Sequence, residues 1–112
     1  MKYEKDGMVA VLYRPNFGAG WSTWNPEYAE ILLFHPLLVE PVDQYEQNLI
    51  TQHQLEEKIR FALTMLGLDD IYSGTIADLR IFWMRPGSLF RIDEYDGNET
   101  VVLHNEQQWI TA

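Results

Sequence analysis

The segment that decides the fold covers residues 88–104 and reads SLFRIDEYDGNETVVLH. The dipeptide Asp96-Gly97 at its centre is typical of a two-residue β-hairpin turn, because both turn positions need a positive φ that Asp and Gly tolerate. The runs on either side, 88–95 and 98–104, contain apolar and β-branched residues and are separated by that turn. They predict two antiparallel strands joined as a hairpin.

A two-residue loop also fixes which residues of the two strands lie opposite each other. The same register sets Glu94 opposite Glu99, and like charges placed in this way destabilise a sheet. We therefore expect a cation or a basic side chain beside these carboxylates, or else a longer loop. The register also predicts one apolar face, on which Phe90 pairs with Leu103 and Ile92 with Val101.

The residues before the hairpin contain two proline-marked helical segments. Asn25 is a strong N-cap, and Pro26 suits the first position of the helix that it opens. Pro36 ends or kinks this helix, because the residue before a proline avoids the α region. The stretch 37–50 is compatible with a short helix that restarts at Pro41.

The next helix has signals at both of its ends. Thr51 and Gln54 have the spacing of a capping box. Gly67 stands where a glycine commonly ends a helix in the left-handed conformation. Between them, apolar residues at helical spacing predict the buried stripe, which consists of Leu55, Ile59, Ala62, Leu63 and Leu66.

Two further strands complete the predicted fold. Residues 8–14 form a short run that is apolar on both faces, which suits an inner strand. Residues 79–84 form another run, which ends at a Pro-Gly turn. The order β-α-α-β-β-β predicts an α+β class, with helices packed on one face of a small antiparallel sheet, in a single domain over residues 1–112. We expect the Trp109-Ile110 pair of the tail to pack back onto this domain.

Composition excludes several classes of function. The chain has 112 residues, 8 Lys+Arg against 17 Asp+Glu, and no cysteine. Disulfides, thiolate metal sites and cysteine nucleophiles are therefore excluded. The net charge of -9 disfavours direct binding to a nucleic-acid backbone. With no apolar run of the roughly 18–20 residues that span a bilayer, and no secretory signal pattern, we expect no membrane association and an intracellular location.

A glycine-rich loop between the first strand and the first helix is the main candidate site. A helix N-terminus reached through such a loop offers backbone N–H groups to an anion. Serine, threonine and asparagine side chains would add donors, and the tryptophans could stack on a flat ligand or a partner. The alternative is a tight turn whose tryptophans fill the core and whose asparagine merely caps the helix. The candidate residues are Gly18, Gly20, Trp21, Ser22, Thr23, Trp24 and Asn25.

Charged residues outside this loop give weaker signals. Arg80, Arg85 and Arg91 gather on the last strands, where they either pair with local carboxylates or contact an anionic ligand. Of these we assign Arg80 and Arg91 to the candidate site. The acidic stretch 93–99 is typical of a solvated turn. The three histidines lie on different predicted elements without the spacing of metal ligands, so we expect no metal and no cofactor.

Several segments of the chain resemble a family of small, uncharacterised bacteriophage and prophage proteins. The most specific are residues 17–25, FGAGWSTWN, and residues 90–97, FRIDEYDG; looser similarity covers YSG at 72–74 and ADL at 77–79. The chain departs from the family pattern at Thr75-Ile76 and in an extended 37–54 region. The resemblance implies a phage accessory protein that acts in the cytoplasm of the bacterial host.

The loop and the arginines predict a protein that binds a partner or a small anionic ligand without catalysis. The resemblance implies that such a partner is a host or defence protein. Two alternatives stay open. One is a small hydrolase that uses Asp/Glu and Ser/Thr groups, and the other is an acidic mimic of nucleic acid. Edge strands and an exposed sheet face would also allow a homodimer.

Overall fold

A computed structural model describes residues 2–104 and confirms the predicted α+β class. The tail, with its predicted Trp109-Ile110 contact, lies outside the described residues. Two single 3-10 turns, Pro26–Tyr28 and Ile76–Asp78, accompany the regular elements. These elements are β1 (Glu4–Lys5), β2 (Met8–Tyr13), α1 (Ala29–Phe34), α2 (Pro36–Glu46), α3 (Gln52–Met65), β3 (Arg80–Met84), β4 (Phe90–Tyr95) and β5 (Asn98–Leu103).

The strands form two small antiparallel sheets where the sequence predicted one. The first has the order β1-β2-β3, and the second consists of β4 and β5. β2 is the inner strand, as predicted, and pairs with β3 from Val9 opposite Met84 to Tyr13 opposite Arg80. β2 is apolar on both faces and lies between two partner strands. The two residues of β1 pair with Met8 and Val9 along one edge of β2, and β3 pairs with residues 9–13 along the other edge.

The β4–β5 hairpin has the predicted two-residue turn and register. Phe90 lies opposite Leu103, and Glu94 lies opposite Glu99. Because the turn has only two residues, a longer loop does not relieve this like-charge pair. Glu94 accepts a hydrogen bond from the Gly97 amide at 2.8 Å, while Glu99 turns into the protein and is buried. The two carboxylates are thus separated because each binds different backbone N–H groups.

The observed ends of α3 agree with the prediction, whereas the helices before it begin at other residues than predicted. Thr51 and Gln54 form the full capping box of α3, and Gly67 has a φ of 74° after its end. Asn25 makes no capping hydrogen bond, and α1 begins only at Ala29. Pro36 opens α2 at its first position, and the helix continues through Pro41 at the cost of one backbone donor.

The core lies between one face of the three-stranded sheet and the three helices. Ala10 and Leu12 project from β2 into this layer. Of the predicted α3 stripe, all members are buried except Leu66, which is half-buried. None of the described helices has both the length and the apolar content that crossing a bilayer requires. The main partners from the helices are Leu32, Leu38, Val42, Leu55, Ile59 and Leu63.

Candidate functional site

The predicted anion-binding loop lies against the tip of the β4–β5 hairpin. The Gly18 amide donates to the Asp96 carbonyl at 3.0 Å, and the Glu99 amide donates to the Arg14 carbonyl at 3.0 Å. A side chain at Gly97 would overlap the Gly18 carbonyl, so only glycine permits this contact. Two segments that are about 80 positions apart in the chain therefore share one backbone interface.

The donors of the loop bind a carboxylate of the chain itself, that of Glu99. Its Oε1 accepts from the Arg14 amide at 2.9 Å. Its Oε2 accepts from the Trp21 amide at 2.8 Å, and from the amide and hydroxyl of Thr23 at 3.1 and 2.6 Å. The side chain is only 1% exposed. Burying a carboxylate is costly unless it is hydrogen-bonded, and these four donors provide that compensation.

Arg14 is the arginine that supports the loop, and the sequence did not single it out. Its Nη1 donates to the Ala19 carbonyl at 2.9 Å and its Nε to the Thr75 carbonyl at 3.2 Å. Its Nη2 lies 3.2 Å from Oδ2 of Asp78, and the residue is 2% exposed. The available signal was its position, directly after a strand that is apolar on both faces and directly before a proline.

The two tryptophans of the loop have different surroundings. Trp21 is fully buried, and its Nε1 donates to the Leu32 carbonyl at 2.7 Å, so this ring belongs to the core. Trp24 is 40% exposed and packs against Tyr72, with 5.3 Å between ring centroids. Asn25 fixes this pair, because its amide donates to the Tyr72 carbonyl and its Oδ1 accepts from the Tyr72 amide. Ser22 is buried beside them.

Arg80 and Arg91 donate hydrogen bonds to residues outside the loop. Arg80 donates from Nη1 to the carbonyls of Ala77 and Leu79, at 2.9 and 2.8 Å. Arg91 belongs to the other sheet, where its Nε donates to Asp93 at 2.7 Å. The arginines that the sequence assigned to one site thus bind local acceptors in separate places.

Exposed aromatic residues flank the loop on both sides. Phe17 is 66% exposed and meets Tyr95 of the hairpin edge-on, with 6.4 Å between centroids. Together with Trp24 and Tyr72, these residues form what we call the aromatic pairs. One ring of each pair comes from the 17–25 loop. The sequence did not identify Phe17, Tyr72 or Tyr95 as candidate site residues. The signal for them was their presence in the segments that carry the phage-family resemblance.

The hydroxyl of Thr23 and the carboxylate of Glu99 form the closest approach to a nucleophile–base pair at this loop. That carboxylate also accepts two N–H bonds on the same oxygen and is sealed from solvent. The arrangement is that of a structural anchor, because the carboxylate is buried and already accepts four hydrogen bonds. Over residues 2–104, no group of three or more His, Asp or Glu side chains is arranged to hold a metal ion.

A second polar cluster ties the first strand to α2. The Tyr3 hydroxyl donates to Oδ2 of Asp43 at 2.9 Å, and the Lys5 ammonium donates to the same oxygen at 3.2 Å. Burial of the Tyr3 hydroxyl and its hydrogen bond to Asp43 raise the pKa of Tyr3 to about 12. Burial alone would raise the pKa of Asp43, but hydrogen bonds from Gln47, Tyr3 and Lys5 outweigh it and lower that pKa.

Comparisons with models of known protein families, with curated proteins and with solved structures each give no match to this chain. The resemblance to a phage protein family stays a prediction. What the site can do is therefore inferred from its own residues: a loop whose anion-binding groups are already occupied, and whose exposed side is aromatic.

Proposed function

We propose that this chain is a non-catalytic binding protein that engages a partner protein through the aromatic pairs. The setting we propose is the one that the resemblance implies, a phage accessory protein in the bacterial cytoplasm that acts on a host or defence protein. The observation that carries the proposal is the buried Glu99 carboxylate. It holds the loop in place from the interior of the protein, while Phe17 and Trp24 of the same loop are exposed on the surface.

A fixed aromatic surface is suited to binding a protein. Aromatic side chains are enriched among the residues that dominate binding energy at interfaces. Binding also costs less when the contacting segment is already ordered, because less conformational entropy is lost. Four donors to Glu99 and two hydrogen bonds between Asn25 and Tyr72 provide that order before any partner arrives.

The geometry favours a protein over a small anionic ligand. The amides of Trp21 and Thr23, which the sequence offered to an anion, already donate to Glu99. The guanidinium of Arg14 already binds four acceptors around the loop. An incoming anion would have to displace an internal carboxylate, whereas a protein partner needs only the exposed aromatic rings.

Quantitative affinity capture from a bacterial lysate tests the proposal. The full chain is compared with a Phe17→Ser/Tyr95→Ser variant, which removes two rings that are 66% and 73% exposed. We expect at least one bacterial protein to be captured by the unaltered chain and to be reduced by about tenfold with the variant, as for the loss of central interface aromatics.

A matched control separates the aromatic pairs from general surface stickiness. Leu49→Ser/Leu89→Ser removes two apolar side chains of similar exposure, 67% and 68%, elsewhere on the surface. The control should capture the same protein as the unaltered chain. If no captured protein distinguishes the two variants, or if the purified chain turns over nucleotides or esters, the proposed function is wrong.

A further inference from the structure

An open groove runs between α2 and α3 and has a volume of about 600 Å³. Its walls carry apolar side chains one helical turn apart: Leu37 and Pro41 on α2, and Phe61 and Met65 on α3. Residues at this i, i+4 spacing form the ridges with which helices pack against one another. The two ridges therefore leave between them a space shaped for the ridge of a third helix.

Three apolar side chains of this groove are unusually exposed, while Pro41 and Ala62, which also line it, are buried. Leu37 is 49% exposed, Phe61 69% and Met65 64%, whereas the opposite side of each helix is buried in the core. Contiguous exposed apolar surface of this kind marks interaction sites. Met and Phe also suit a docking surface, since methionine adapts its shape to a partner and aromatic rings supply contact area.

The charges around the groove indicate the chemistry of the occupant. Two exposed glutamates, Glu40 and Glu57, stand at its margins. The ammonium of Lys58, which also lines it, is held by the side-chain oxygen of Gln44 at 3.1 Å. The chain as a whole carries a net charge of -9. Glu57 also pairs with His53 at 2.6 Å, and Lys58 opposes the two glutamates, so the rim carries a small excess of negative charge. An approaching basic segment is attracted by this excess and by the net charge of the whole molecule.

We propose that the α2–α3 groove docks a basic amphipathic helix of a partner protein. Its apolar residues, at i, i+3 or i+4, and i+7, would lie between Phe61 and Leu37, and its Lys or Arg residues would reach Glu40 and Glu57. A second copy of this chain fits less well, because it would bring another charge of -9 and the same two glutamates. The groove shares no residue with the aromatic pairs, so the inference is independent of the proposed function.

Peptide selection tests this proposal without a known partner. Random peptides of about 16 residues, ~24 Å long when helical, are displayed on yeast and sorted for binding to the full chain. The pool is then counter-sorted against a Phe61→Ser variant. We expect the surviving peptides to share helical apolar spacing and a net positive charge, and the affinity of a synthetic representative to fall about tenfold with Phe61→Ser.

Matched variants define the other outcomes. Leu89→Ser, at a residue that is 68% exposed and outside the groove, should leave the affinity unchanged. Glu40→Gln/Glu57→Gln should weaken binding and reduce its salt dependence. Circular dichroism checks the fold, and Met65→Ser replaces Phe61→Ser if the latter unfolds. Three outcomes would each overturn the proposal. The selected peptides could be acidic or neutral, they could bind the groove variants as tightly as the unaltered chain, or sedimentation could show a dimer that Phe61→Ser dissociates.

Discussion

At the scale of single residues, Glu99 has a role that its sequence neighbours conceal. It belongs to the acidic stretch 93–99, which the sequence assigns to a solvated turn. Strand alternation instead turns Glu99 into the protein, where backbone amides of Arg14, Trp21 and Thr23 converge on it. An apolar residue at this position would leave those buried donors without a partner, which costs more than burying the compensated charge.

We expect Glu99→Gln to destabilise the protein by about 2–4 kcal/mol, because the amide loses the charge and presents N–H groups to N–H donors. Glu94→Gln is the control, since Glu94 lies opposite in the same hairpin but is exposed and binds the Gly97 amide. It should cost less than about 1 kcal/mol. Urea unfolding measures both changes. Equal losses would show that Glu99 does not anchor the loop.

At the scale of elements, the hairpin is held to the rest of the molecule by a close backbone contact. Two strands alone are marginally stable, so β4 and β5 need an external surface. Gly97 provides the closest approach, next to the carbonyl of Gly18. The Asp96-Gly97 dipeptide that specifies the hairpin turn therefore also contacts the 17–25 loop. The sequence predicted the turn, and only the structure showed this contact.

The docking contact can be isolated by comparing two glycines with nearly the same positive φ. Gly97 and Gly87 have φ values of 81° and 82°, so alanine costs similar backbone strain at either one. At Gly87 a methyl group meets open space, whereas at Gly97 it overlaps Gly18. Gly97→Ala should therefore destabilise the protein by about 1–3 kcal/mol more than Gly87→Ala in urea unfolding. Equal effects would mean that the hairpin tip adjusts freely.

At the scale of the whole molecule, the contact between Tyr3 and Asp43 connects residues that are 40 positions apart. It joins the start of the chain to α2 and so closes the three-stranded sheet onto the helices. Because the pKa of Tyr3 is raised from 10.0 to about 12, the folded state favours the neutral hydroxyl. Its contribution to stability is complete below pH 10 and is lost as the pH rises through about 12.

Tyr3→Phe should remove part of this alkaline destabilisation. The free energy of unfolding of the unaltered chain should fall more steeply between pH 10 and about 12 than that of the variant. Tyr28→Phe, at a tyrosine outside this cluster, should follow the unaltered chain. Urea unfolding at closely spaced pH values measures the three slopes. Parallel curves for all three proteins would contradict the assignment.

Local signals predicted the parts of the fold that depend on neighbouring residues. The capping box of Thr51 and Gln54, the glycine after α3, the inner strand and the hairpin register all follow from propensities and hydrogen bonds within a few residues. The prediction went wrong where distant segments compete. Asn25 binds Tyr72, 47 positions away, and so gives up the helix cap. The strand at Arg80–Met84 pairs with β2 in preference to the adjacent hairpin.

The sequence by itself determined the α+β class and the hairpin with its turn, because each depends on local backbone chemistry. For the glycine-rich loop it left two alternatives, an anion-binding site and a tight turn. Only the tertiary structure decided that the anion is Glu99, that Trp21 is core while Trp24 is exposed, and that Arg14 supports the loop in place of Arg80 and Arg91. The physical reason is that buried polar groups must find partners, and the partners nearest in space are remote in the chain.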